Sequence, residues 1–203
     1  MAEGRPALSR PAPSRPAPSR PVPGRPGRGA PRARLAEILR VDHAGELAAV
    51  HIYRGQQAVF SAAQGKTALG ETFADLREQE AEHLKAFDAL LAERGVRPSL
   101  LTPLWRVAAF ALGAGTALMG EKAAHACTDA VEAVIGEHYA GQIEELRGRE
   151  PELAERLAAF RDDELKHQAD AVAQGAREAE GYGPLSAVIK AGCRAAIHAA
   201  EKI

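Results

Sequence analysis

One pattern occurs twice in this chain of 203 residues, and few folds can accommodate it. Glu46-Leu-Ala-Ala-Val-His-Ile-Tyr53-Arg-Gly55-Gln56 aligns without a gap to Glu132-Ala-Val-Ile-Gly-Glu-His-Tyr139-Ala-Gly141-Gln142. Both read E-x6-Y-x-G-Q. Further on, Arg77-Glu-Gln-Glu80-Ala-Glu-His83 aligns with Arg161-Asp-Asp-Glu164-Leu-Lys-His167, and both read R-[DE]-x-E-x-x-H. The first and second glutamates are 34 residues apart in one copy and 32 in the other.

Apolar residues around these motifs recur at helical spacing, and no run alternates with period two, so the chain reads as all-α. On a helix, Glu and His at i and i+3 share one face about a turn apart. Midway between Glu46 and Glu80 is Ala63, beside the break at Gln64-Gly65. Midway between Glu132 and Glu164 is Gly148, in a second break. Residues equidistant from the turn of an antiparallel helix pair lie at one height. Each hairpin therefore levels Glu, Glu and His, and two packed hairpins offer Glu46, Glu80, His83, Glu132, Glu164 and His167.

Four carboxylates and two imidazoles suit two divalent ions such as iron or manganese. Without metal, four glutamates clustered in a bundle core would repel one another and lose hydration. One Glu from each of two helices plus Glu-x-x-His from each of two others is the pattern of ferritin-like dinuclear carboxylate proteins. The expected fold is a ferritin-like four-helix bundle with two additional amphipathic helices. A single E-x-x-H commonly marks a solvated helix face; the paired copies argue against that here. Glu78, Glu82, Glu137 and Asp162 are assigned to solvated faces, Glu137 being the weaker competitor of Glu132. Asp163 and Asp129 are candidates to orient the imidazoles. Tyr53 and Tyr139 share a face with their glutamates and serve either the metals or the core. His43 and His51 are assigned to caps or surface, and Cys127 to inert core.

Helices are expected at about 33–63, 68–94, 102–119, 121–147, 151–180 and 184–201, from apolar periodicity and Gly/Pro punctuation. Residues 1–31 carry Arg5, Arg10, Arg15, Arg20 and Arg25 among prolines, which forbids helix and implies a disordered tail. The domain proper spans 32–203. A mitochondrial transit peptide is also arginine-rich and acid-poor, but it should be amphipathic and helical, so a disordered extension is the expectation ahead of it. A net charge of −1 gives no field for nucleic acid, and two cysteines without metal spacing imply a reducing compartment.

Arg40-Val-Asp42-His43-Ala-Gly45-Glu46, the paired E-x-x-H motifs, Glu132 with His138-Tyr139, and Ala191-Gly-Cys-Arg194 resemble the demethoxyubiquinone hydroxylases of ubiquinone biosynthesis over about residues 34–203. The resemblance implies two iron ions held by the six residues above, with His138 and Tyr139 linked to electron entry. It implies that O2 hydroxylates the ring of a lipid-tailed quinol, with electrons from NADH. No G-x-G-x-x-G opens a helix after a strand, so a Rossmann nucleotide domain is not expected. A homo-oligomer and other ubiquinone-biosynthesis proteins are implied as partners.

Residues 100–120 are the least polar stretch, but the uncharged run after Arg106 has 14 residues, too short to span a bilayer. Peripheral membrane contact is expected through residues 100–120 and 184–203, with Trp105 and Arg106 at headgroup level. The expected location is the cytoplasmic face of a bacterial inner membrane, or the matrix side of a mitochondrial one. A ferritin- or rubrerythrin-like storage or peroxide-handling protein is the alternative, since it would use the same ligands.

Overall fold

The computed structural model describes Met1 and residues 31–202. Six helices follow one another: α1 (Pro31–Ala62), α2 (Thr67–Arg94), α3 (Thr102–Leu118), α4 (Glu121–Leu146), α5 (Pro151–Ala173) and α6 (Tyr182–Ala200). No strand occurs among the described residues. The expected disordered tail lies outside them, except that Pro31 already belongs to α1.

Short breaks make α1–α2 and α4–α5 antiparallel hairpins. Surface ion pairs fix how the hairpins meet. Arg34, near the start of α1, reaches Glu145, near the end of α4, at 3.0 Å. Lys66 at the far end reaches Glu121 at 2.9 Å. Arg94 at the end of α2 reaches Glu150, just before α5, at 3.1 Å. Helix α1 thus opposes both α2 and α4, and α5 opposes both α4 and α2. Because α2 and α4 then run the same way, the chain must travel the bundle's length between them. Helix α3 makes that crossover, its 17 residues covering about 25 Å. This is the ferritin-like topology with one long connection.

The crossover lies against α1 backbone to backbone. A Cβ at Gly113 would stand 1.9 Å from the carbonyl oxygen of Ile52, and one at Gly55 would stand 2.4 Å from that of Phe110. The matching Gly141 has open space, so the repeated glycine has a packing role in one copy only.

Helix ends follow local chemistry. Gly95 adopts φ 63° after α2, and the N–H of Val96 reaches back to the carbonyl of Leu91, the closure that glycine permits. Helix α5 stops at Ala173, short of the expected residue 180. Gly175 turns left-handed at φ 88°, and a 3-10 turn at Ala176–Glu178 follows. The turn buries Ala176 and Ala179 against Ala126 and Ala171. That packing redirects the chain so that α6 returns over α4 and α1, beginning at Tyr182 rather than Pro184.

Two apolar plugs fill the bundle. One contains Ile52, Tyr53, Phe60, Phe73 and Val131; the other contains Ile38, Leu39, Phe87, Leu90, Tyr139 and Leu157. Between them lies a layer of buried polar residues. Gly113→Ala is expected to cost about 1–3 kcal/mol through overpacking against Ile52. Gly115→Ala, which meets open space on the same helix, should be neutral or stabilising. Differential scanning calorimetry on the pair checks this: equal melting temperatures would contradict the close crossing.

Candidate metal centre

The polar layer is where the two hairpins meet. Glu46 on α1, Glu80 and His83 on α2, Glu132 on α4, and Glu164 and His167 on α5 all converge there. Glu80, Glu132 and Glu164 are 0% exposed and Glu46 is 1% exposed, too deep for unpaired carboxylates to keep their hydration.

The six residues divide into two overlapping groups. In each, one ligand atom per residue lies within 4.8 Å of the others. Glu46, Glu80, His83 and Glu164 form one; Glu80, Glu132, Glu164 and His167 form the other. Glu80 and Glu164 belong to both. Hydrogen bonding agrees with this division. Tyr139 donates to Glu46 Oε1, and Tyr53 donates to Glu132 Oε1. Each of those carboxylates is left with one unbonded oxygen, Oε2. Glu80 and Glu164 keep both oxygens unbonded, as do Nδ1 of His83 and Nδ1 of His167. Eight buried donor atoms without hydrogen bonds therefore face one small space. Buried polar atoms are almost always satisfied, so this set calls for cations. Two cations would fit: Glu46 with His83 would serve one group, Glu132 with His167 the other, and Glu80 and Glu164 belong to both. Oxygen and imidazole donors in this ratio suit iron or manganese.

The electrostatics express the same need. Burial first, then the carboxylates of Glu164 and Glu80, hold Glu132 well above the usual carboxylate range. Burial opposes a charge on His83, but the close carboxylates of Glu164, Glu46 and Glu80 outweigh it and raise the imidazole far above its ordinary value. His167 is pushed up to about 9 by Glu164 and Glu80 against the same burial. Its Nδ1 is 3.0 Å from Glu80 Oε1 and 3.3 Å from Glu164 Oε2. In the metal-free chain, protons do part of the neutralising that cations would do. Burial also raises both tyrosine hydroxyls, keeping them protonated as donors.

Outer contacts orient the imidazoles across the hairpins. His83 Nε2 meets Asp163 Oδ2 at 3.3 Å, and His167 Nε2 meets Gln79 Oε1 at 3.1 Å. Asp163 and Gln79 both precede the Glu of E-x-x-H, so each motif braces the other's histidine. Asp163 was an expected partner and Gln79 was missed; the signal was the equivalent position in the repeat. Asp129 does not reach an imidazole. It accepts from Gln168 at 2.9 Å and from Tyr182, securing the start of α6. The repeated arginines tie each hairpin together, Arg77 donating to Gln57 at 2.8 Å and Arg161 to the Gly136 carbonyl at 3.2 Å.

The remaining expected residues lie apart from the cluster. His138 is half-buried on the α6 side of α4, near Asp42 and Gln142. His43 was expected at a cap or the surface; it is buried, and its Nε2 lies 3.0 Å from Asp88, linking α1 to α2. His51 bonds the Leu47 carbonyl of its own helix at 2.8 Å. Glu78, Glu82, Glu137 and Asp162 are exposed. Cys127 is fully buried, and burial pushes its thiol up to about 12. Trp105, expected at headgroup level, turns inward beside Val41, Ala44 and Ala200.

Comparison with known proteins adds the family. A family profile described as "Ubiquinone biosynthesis protein COQ7" matches residues 33–200. The chain belongs to that family. The human "NADPH-dependent 3-demethoxyubiquinone 3-hydroxylase, mitochondrial" is 46% identical over 176 residues, 85% of this chain and 79% of that protein. The "3-demethoxyubiquinol 3-hydroxylase" of Rhodospirillum rubrum is 46% identical over 174 residues, 86% of this chain and 81% of that one. The yeast "5-demethoxyubiquinone hydroxylase, mitochondrial" is 43% identical over 189 residues, covering 86% and 80%. The human relative's name specifies NADPH, where the motif resemblance implied NADH.

The sharing of Glu80 and Glu164 between the two groups predicts a stoichiometry pattern. Glu132→Ala should retain one of two metal ions per chain, whereas Glu164→Ala should lose both. Elemental analysis after anaerobic ferrous loading checks it. Loading should also release protons, since His83 and His167 are protonated near neutral pH without metal. Apparent affinity should therefore rise with pH, and less steeply once His167 deprotonates near 9 while His83 still holds its proton, as a pH series of metal titrations would show.

Proposed function

We propose that this protein is a dinuclear-iron monooxygenase that hydroxylates the ring of a lipid-tailed demethoxyubiquinol, using O2 and electrons from a reduced nicotinamide. The observation that carries this reading is the set of eight unsatisfied donor atoms in a chain of the COQ7 family. The bound iron pair would supply reduction of O2 and insertion of one oxygen atom.

The chain's own residues do the rest. Tyr139 and Tyr53 hold Glu46 and Glu132 by one oxygen each, so each carboxylate presents only its Oε2 inward. Asp163 and Gln79 fix the rings of His83 and His167, turning Nδ1 to the centre. The apolar plugs above and below exclude water from the polar layer.

An apolar cavity of about 90 Å³ runs beside the ligand-bearing segments. Gly45 and Ala49 flank Glu46 along one wall, and Val131 precedes Glu132 on another; Trp105, Cys193 and Ile197 close the far side. Such a lining accepts the apolar end of a quinol and offers nothing to a charged substrate. The outer face of α3 exposes Leu104, Val107, Phe110, Leu118 and Met119, and α6 exposes Val188 nearby in the fold. No described helix is long and apolar enough to cross a membrane. These faces suit contact with a lipid surface, from which the substrate would enter. His138 and Tyr139 remain assigned to electron entry on the family pattern.

Anaerobic incubation with ferrous iron and demethoxyquinone, then a reduced nicotinamide and air, should yield a product one oxygen heavier by mass. Glu164→Ala and His167→Ala should each abolish that product while circular dichroism stays helical. Full turnover in either variant would contradict the reading.

A further inference from the structure

The two copies of the repeat differ at one polar feature the metal centre does not use. In the second copy, Gln142 Nε2 lies 2.7 Å from Asp42 Oδ1 and 2.8 Å from His138 Nε2. One amide therefore brackets both groups, and His138 Nε2 stands 3.6 Å from Asp42 Oδ1. In the first copy the positions equivalent to His138, Gln142 and Asp42 are Ile52, Gln56 and Thr128. There Gln56 merely donates to the Ala124 carbonyl at 3.0 Å. The fold thus needs no ionisable pair at this point: the first copy carries isoleucine and threonine there, and Gln56 still ties α1 to α4.

We propose that His138 and Asp42, held together by Gln142, form a proton entry route to the Glu46–His83 half of the metal centre. The outer end opens on a surface cleft lined by Val134, Glu137, Arg194 and Ile197, with Glu137 and Arg194 paired at 3.0 Å. The inner end is Asp42, 3% exposed, whose Oδ2 makes no hydrogen bond. Asp42 lies one helical turn before Glu46 on the same face of α1. Burial raises Asp42 well above the usual carboxylate range, with Glu46 adding to the effect and Gln142 opposing it. Burial lowers His138, while Glu201 raises it and Arg34 lowers it. A buried carboxylic acid beside a neutral imidazole can pass a proton inward without leaving a buried net charge.

The inference rests on the proposed hydroxylase reading, which defines the proton's use. Turning a C–H into C–OH with O2 takes two electrons and two protons and releases one water. A reduced nicotinamide gives both electrons and one proton, so one proton per turnover comes from solvent. His138 takes it from the cleft on Nε2, the nitrogen whose lone pair accepts from Gln142; once that amide turns away, the new N–H passes its proton to Asp42 Oδ1, and Asp42 releases the proton on Oδ2 toward the centre. Gln142 is a positioning residue: its amide donates to both His138 Nε2 and Asp42 Oδ1 and holds the two 3.6 Å apart before the transfer.

Infrared difference spectra of the full chain in H2O and D2O test the route without turnover. Asp42→Asn should remove a protonated-carboxyl band, and that band should exchange at least tenfold more slowly in His138→Phe than in the parent. No band lost in Asp42→Asn, or unchanged exchange in His138→Phe, overturns the proposal. In turnover, Asp42→Asn should cut kcat at least tenfold with metal stoichiometry unchanged. Added imidazoles should rescue His138→Ala in order of their basicity, an effect a purely structural role would not give. Wild-type turnover in Asp42→Asn, or no rescue, overturns it equally. A parent protein that hydroxylates nothing would sink the functional reading, while the infrared comparison would still decide the route.

Discussion

Four carboxylates driven out of water into one layer of the bundle are the constraint on which the rest depends. Glu46, Glu80, Glu132 and Glu164 cannot remain charged and unpaired at that depth. Two tyrosines relieve one oxygen each at Glu46 and Glu132, and the histidines carry protons in the absence of metal. Everything above and below is arranged to keep the layer dry. Phe73 stacks beside Tyr53 at 6.4 Å on one side, and Phe87 lies parallel to Tyr139 at 6.5 Å on the other. The tyrosines therefore belong to both worlds, with rings in the apolar plugs and hydroxyls in the polar layer.

The duplicated hairpin explains the near-symmetry of the centre, and the departures from it are informative. Tyrosine cross-bonding is mutual: α1 donates to α4, and α4 donates to α1. The outer brace of the imidazoles is mutual in position but not in charge. Asp163 places a carboxylate behind His83, while Gln79 places an amide behind His167. A carboxylate partner makes an imidazole a stronger ligand than an amide does. The two halves of the cluster are thus chemically unequal although the backbone treats them alike.

The level at which the six ligands meet was legible because it depends on counting residues from two turns, and helical rise is nearly constant. The element order was legible because Gly95, Gly148 and Pro151 punctuate strongly. What escaped depends on how each helix is rotated about its axis. Gln79 sits on an exposed stretch and reaches across to another hairpin. The Asp42–Gln142 contact joins residues 100 positions apart. His43 was expected at a cap or the surface, yet it lies on the buried side of α1, with its ring against Asp88. The early end of α5 escaped because the run to residue 180 stays favourable to helix, and only burial of Ala176 and Ala179 favours the turn.

Glycine at 113 gives α3 no cushion of side chain against α1. Load applied to the outer face of the crossover passes through direct backbone contact to Ile52, the neighbour of Tyr53. That tyrosine grips Glu132 from across the bundle. The outermost helix is thus mechanically geared to a ligand it never touches.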